Sequence, residues 1–385
     1  MLKKIASLFL VFVFIMGTFT AVQASRDSDG MLESRTHEEC YLAPLREIVL
    51  SLDYQRNGRR QPCESEEVSL HEDDIAERLI ELMDLFVEAR TIQNNARGTV
   101  YEGFEAHVNT LVITGFGMPN YIGGTFDIGF AHDRYVEMID FVIEFLGVPS
   151  EMVSYRVIGI ISADPSVGQP TGININDLSD IEYRMAPTGG GLAIGTRIQF
   201  WHPQMGFVDM GVLGHPANAS GRVAFGTNHR MVPNGAEVWT YHNPQRIGVV
   251  SNHGGWNPLE GLDVSSIRLD PQWHVINMAL GGTITNHFGP LGLGTQVVVL
   301  GRGARPGDPV SLRWRGNIWI PSEGLVWFDN LIHVRNILTQ NGDSGGAAVQ
   351  MVGSRVVGTH VAGDASSRYA FISAAPRYRF LWPLN

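Results

Sequence analysis

From residue 194 onward the chain is written in short apolar runs separated by Gly, Pro and Asn, and this punctuation narrows the fold more than any other feature. The runs fall at 197–201, 206–213, 222–227, 237–241, 246–250 and 264–269, then at 296–300, 309–313, 317–320, 347–351, 355–360 and 369–372. Short strands at this spacing, with almost no helical period, specify an all-β sandwich or a pair of barrels. They use only the back half of a 385-residue chain. Two domains are therefore the expectation.

The front half has a different grammar. Ser69 can cap a helix, with Glu72 three residues later, Asp73 and Asp74 in the first turn, and Ile75, Leu79, Leu82, Met83 and Phe86 at helical spacing. β patterns follow at 111–114 and 121–128, a helix at 135–146 and a strand at 153–161, so residues 25–162 predict a smaller α+β unit. Residues 163–191 carry Pro165, Pro170, Pro187 and Gly189, Gly190 and Gly191, the composition of a linker. The glycines at 189–195 lack a following Lys-Ser/Thr and serve turns rather than a phosphate.

Charge follows the same division. Residues 26–190 hold 12 basic and 29 acidic side chains, whereas residues 191–385 hold 14 arginines and 10 acids. Opposite signs suggest two units that attract each other. No basic cluster favours nucleic acid, and nothing calls for a cofactor or a metal. Lys3 and Lys4 precede an apolar run from Ile5 to Met16, and Val22, Gln23 and Ala24 offer a cleavage site before Ser25. Residues 1–24 thus read as an export signal for a secreted protein, with an uncleaved anchor as the alternative. Cys40 and Cys63 are the only cysteines. In an exported chain they could close one disulfide loop, contributing roughly 3 kcal/mol.

The chemistry concentrates at Gly342-Asp343-Ser344-Gly345-Gly346. Gly342 lets the backbone turn so that its amide and that of Ser344 converge, and the later glycines clear an approach for a substrate carbonyl. This loop resembles the nucleophile loop of the chymotrypsin-like serine proteases. A histidine and an aspartate in the matching order exist. His229 ends the β run at 223–227 as that family's base does, and Asp263 heads the apolar strand Val264 to Leu269. A carboxylate buried there needs a partner, and an imidazolium is one. His215, His253 and Asp270 fit turns or loops better. The resemblance covers roughly residues 190–381. It implies two six-stranded antiparallel barrels, with His229, Asp263 and Ser344 as triad and the Gly342 and Ser344 amides as oxyanion hole.

Pocket positions refine it. Six residues before Ser344 stands Leu338, where trypsin-type members carry an aspartate; then come Thr339 and, sixteen residues after Ser344, His360. A hydroxyl and an imidazole can both donate to a substrate carboxylate or amide. This pair resembles the pocket of secreted glutamyl endopeptidases, while a similar Gly-x-His-Val-Ala-Gly run occurs in picornaviral main proteases, which prefer Gln. Arg302 resembles an arginine that pairs with the aspartate before the serine in bacterial members, here Asp343. In the front half, Gly-Gly-Thr-Phe-Asp-Ile at 123–128 and Val-Ser-Tyr-Arg-Val at 153–157 are similar to pro-regions of secreted bacterial serine proteases.

The expectation is a zymogen. Its parts are a signal peptide (1–24), an α+β pro-region (25–162) that could inhibit its own protease, a linker (163–191) and a serine endopeptidase (192–385) acting on proteins or peptides. Glutamate is the expected residue at the scissile bond, with Glu182 or a neighbouring acid a self-processing site. The alternatives are a Gln or small apolar preference, a protease-like binding protein without activity, or a front half retained as a binding domain.

Overall fold

The computed structural model describes residues 71–96, 110–120, 124–172, 190–217, 223–227, 232–276, 278–279, 282–283, 291, 294–301, 305–340, 342–364 and 368–378. The expected export signal, both cysteines, Glu182, His229, Arg302 and most of the glycine-rich linker lie outside them.

Among the described residues the front unit starts with α1 (Glu72–Ala96), whose first turn carries three acids and whose Asp74 carboxylate accepts the His71 N–H at 3.0 Å. Acids are stabilising at that end of a helix. Ile75, Leu79, Leu82 and Phe86 form its buried face. Strands β1 (Ile113–Gly117) and β2 (Phe126–Phe130) follow, then α2 (Val136–Phe145) and β3 (Val153–Val157). Gly147 (φ 71°) stops α2, and bonds from Gly147 N to Glu144 O (2.9 Å) and from Val148 N to Ile143 O (3.2 Å) close its last turn. Because α2 returns the chain to the same end, β3 pairs parallel to β2. Short β4 (Ile161–Ala163) ends the unit.

The back half is mostly β. In chain order it runs β5 (Gly190–Ala193), β6 (Arg197–His202), β7 (Gly206–Val212), β8 (Val223–Gly226), β9 (Glu237–Thr240), β10 (Arg246–Asn257), β11 (Leu262–Leu269) and β12 (Trp273–Ile276). Next come β13 (Met278–Ala279), β14 (Gly282–Thr283), β15 (Val297–Leu300), β16 (Asp308–Ile320), β17 (Gly324–Arg335), β18 (Ala347–Gln350), β19 (Val356–Asp364) and β20 (Tyr369–Ala374), then a single turn, α3 (Ala375–Tyr378). Two sheets dominate. One has the order β7-β6-β9-β10-β11-β8, and the other the order β15-β18-β19-β20-β17-β16-β1-β2-β3, with β4 pairing to β16 and β19. Phe225, Leu262 and Val264 from the first sheet share a core with Val298, Ala347 and Val349 from the second.

The second sheet differs from the expected six-stranded barrel. Six of its ten strands belong to the back half, and β1 to β4 of the front unit complete it. β1 runs antiparallel to β16, with Gly115 opposite Gly316. Below that crossing Trp314 is fully buried. Ile158, Ile161 and Ala163 then pack with Trp314, Phe328 and Val361 in one cluster, so the front unit and the back half share side-chain packing as well as a sheet. The runs expected as two strands at 309–313 and 317–320 are one strand, β16, and its partner β17 went unanticipated.

Candidate active site

Ser344 lies in the turn between β17 and β18, 1% exposed. Its carbonyl accepts the Val212 N–H at 2.9 Å, and its hydroxyl donates to the Val361 carbonyl at 3.3 Å. Glycines make this approach feasible. A Cβ on Gly211 (φ 80°) would stand 2.2 Å from the Ser344 carbonyl oxygen, and one on Gly345 (φ 87°) would stand 2.7 Å from the Val212 oxygen. Both need the left-handed region and empty space, which only glycine supplies without strain. Gly345 N donates to His360 O (3.0 Å) and His360 N to Gly346 O (2.9 Å), so β19 clamps the loop from the other side. The Asp343 side chain turns inward: Oδ2 accepts the Gln340 N–H at 2.8 Å, and Oδ1 lies 2.2 Å from where Gly301 would carry a Cβ.

Asp263 is the second residue of β11, flanked by Leu262 and Val264, and fully buried. Its Oδ2 accepts the Thr227 hydroxyl at 3.3 Å, and its backbone N–H donates to Ser373 Oγ at 3.1 Å. Thr227 is in turn fixed by Ser265, whose hydroxyl donates to the Thr227 carbonyl at 2.8 Å. A Cβ on Gly345 would also meet Thr227 N at 2.8 Å. Thr227 thus touches the acid on one side and the nucleophile loop on the other, two residues before His229. Asp263 and the glycine that follows Ser344 meet at one threonine.

The pocket residues separate by burial. Thr339 (3% exposed) and His360 (4%) are enclosed, whereas Leu338 is 43% exposed and pairs with Arg305 through an isolated bridge. Thr339 Oγ1 is 3.3 Å from the position a Cβ would take on Gly363, three residues along β19 from His360. His215 is buried, with Nε2 2.8 Å from the Tyr378 hydroxyl and Nδ1 3.1 Å from the Pro216 carbonyl, and burial pushes its pKa down to about 4. That histidine is neutral and engaged in packing.

One participant escaped the sequence reading. The Gly342 N–H, an expected oxyanion donor, is bonded to Oδ2 of Asp164, which is 178 residues earlier in the chain. The other oxygen, Oδ1, accepts from the N–H and the hydroxyl of Ser166, each at 2.8 Å. The chain then follows β7: Gly168 N donates to Asp209 O (2.8 Å), Asp209 N to Gln169 O (3.0 Å) and Thr171 N to Phe207 O (2.8 Å). The start of the expected linker is therefore seated on the back half. The Asp-x-Ser spacing at 164–166 is the one local signal, since it builds a tight turn around the carboxylate.

No family model matches the chain, and no curated protein matches it. Among solved structures, it is similar to kallikrein-related peptidase 10 in complex with Zn²⁺ (13% identity, 50% of this chain and 96% of that one, TM-score 0.31). It is also similar to a mutant of human heparin binding protein (13% identity, 48% and 88% covered, TM-score 0.30). A third is the VesB protease of Vibrio cholerae (14% identity, 49% and 62% covered, TM-score 0.29).

Proposed function

We propose that this chain is the precursor of a secreted serine endopeptidase with a chymotrypsin-like pair of barrels. Ser344 attacks the scissile carbonyl while His229 takes its proton. Asp263 holds the imidazole in the required tautomer, and the Gly342 and Ser344 amides receive the oxyanion. The observation that carries this reading is the convergence on Thr227. A buried carboxylate and the glycine-rich serine loop meet at one residue, beside the histidine-bearing segment. Burying Asp263 in an apolar strand costs several kcal/mol unless a cationic or donating partner answers it. The forming imidazolium is such a partner.

Thr339 and His360 are both enclosed, and Thr339 Oγ1 reaches Gly363 on the strand that carries His360, which supports glutamate at the scissile bond. Gln would use the same donors, so a Gln preference is the second reading. A peptide series varied only at the residue before the scissile bond tests both, with wild type set against Ser344→Ala. Cleavage after Glu, abolished in the variant, is the expected result. Cleavage after small apolar residues would remove the pocket assignment. Complete inactivity of every processed form would leave a binding protein.

A further inference from the structure

The strand β4 and the residues after it lie against β19 and the nucleophile loop. β4 runs antiparallel along β19 with Ala163 opposite Ala362, Ser162 opposite Gly363 and Ile161 opposite Asp364. Adding an extended segment to a free strand edge is a general mode of peptide recognition. One step further in that register places Asp164 level with Val361, the residue whose carbonyl accepts the Ser344 hydroxyl. The Asp164 carbonyl accepts the Val167 N–H at 3.2 Å inside the turn that Pro165 begins. The side-chain carboxylate takes the Gly342 amide donor.

Resting on the reading of Ser344 as nucleophile, we infer that residues 161–171 are a built-in inhibitory strap, with the Asp164 carboxylate standing in the site of the reaction's oxyanion. A carboxylate is a charged acceptor of the kind such a donor is built for, and charge-assisted bonds are the stronger ones. It is not cleavable there, because the atom on the donor is a side-chain oxygen with no scissile bond behind it. Ser166 holds the second oxygen and sets the angle, while the pairing of 168–171 with β7 anchors the far end. The strap spans the nucleophile loop from one sheet to the other. The chain is latent until it leaves.

The test uses the full-length protein and the variants Asp164→Ala and Asp164→Asn, each first checked for an unchanged unfolding midpoint. Two readouts are taken: hydrogen exchange of the peptide containing Gly342, and labelling of Ser344 by a fluorophosphonate, which bonds phosphorus to Oγ and releases fluoride. Asp164→Ala should speed both by tenfold or more. Asp164→Asn, which keeps the acceptor but not the charge, should fall between. Equal exchange and equal labelling in all three proteins would overturn the strap. Faster exchange in Asp164→Ala with no labelling in any form would uphold the strap contact and sink the nucleophile assignment.

Discussion

Gly115 and Gly316 face each other across the β1–β16 pair, and neither position has room for a side chain. A Cβ on Gly115 would stand 2.1 Å from the Trp314 ring, and one on Gly316 would stand 2.4 Å from the Thr114 carbonyl oxygen. The front unit joins the second sheet through this crossing.

Gly316→Val should therefore destabilise the full-length chain by about 1–3 kcal/mol, the usual cost of overpacking. Urea unfolding should show a lower midpoint with the same slope. A change below about 0.5 kcal/mol, the range of a neutral surface substitution, would mean that the two strands do not pack closely in solution.

Thr227→Val keeps the shape but removes the hydroxyl that donates to Asp263. With one donor lost, the processed enzyme should show kcat reduced by about tenfold to a hundredfold with KM unchanged, since only the transition state needs the oriented acid. Asp263→Asn should lower kcat by about 10⁴. Similar losses in KM alone would assign both residues to binding.

Replacing His360 by Ala, or Thr339 by Val, removes one of the two enclosed donors. The preference for Glu over Ala in a peptide series should fall by about a hundredfold or more, because sites that bond a polar group reject analogues lacking it. Turnover of an apolar substrate should change little. An unchanged ratio would place the specificity elsewhere.

His215 makes a pH prediction. Its folded pKa is about 4 because burial disfavours the cation, while the unfolded chain takes the proton near the ordinary value of 6.5. The unfolded state thus binds more protons between those values, so stability is full above 6.5 and is lost as pH falls towards 4. At pH 5 the loss from this one group is about 2 kcal/mol. His215→Gln should flatten the stability curve between pH 7 and 5 by that amount relative to wild type, measured by urea midpoints. Parallel curves would show that the ring takes up its proton equally readily in the folded and unfolded protein.

Local chemistry explains which features were legible. Ser344 stood out because its glycines serve a backbone need visible in four neighbouring residues. Asp263 stood out because a charge between apolar β residues is costly wherever it folds. α1 and α2 were readable from their apolar spacing. β17 was not, because polar Asp329 and Asn330 interrupt its apolar pattern; Asn330 takes φ 59° inside the strand, and Asp329 pairs with Arg315 at 2.9 Å. The role of Asp164 was illegible for a different reason. Its partner lies 178 residues away, and Pro165 beside it carries the signature of a connector.

The sheet's order bears on what the proposed processing would leave behind. Among the described strands β3 closes this side of the sheet, while β16 is shielded by β1 along Trp314, Arg315 and Gly316. Losing the front half would move the open edge to β16 and leave its unpaired amides and carbonyls as a template for a second chain. Arg313, exposed on that border, would repel a like copy, whereas the neighbouring Arg315 is answered by Asp329. Arg313→Ala should then self-associate only once the precursor segment is gone.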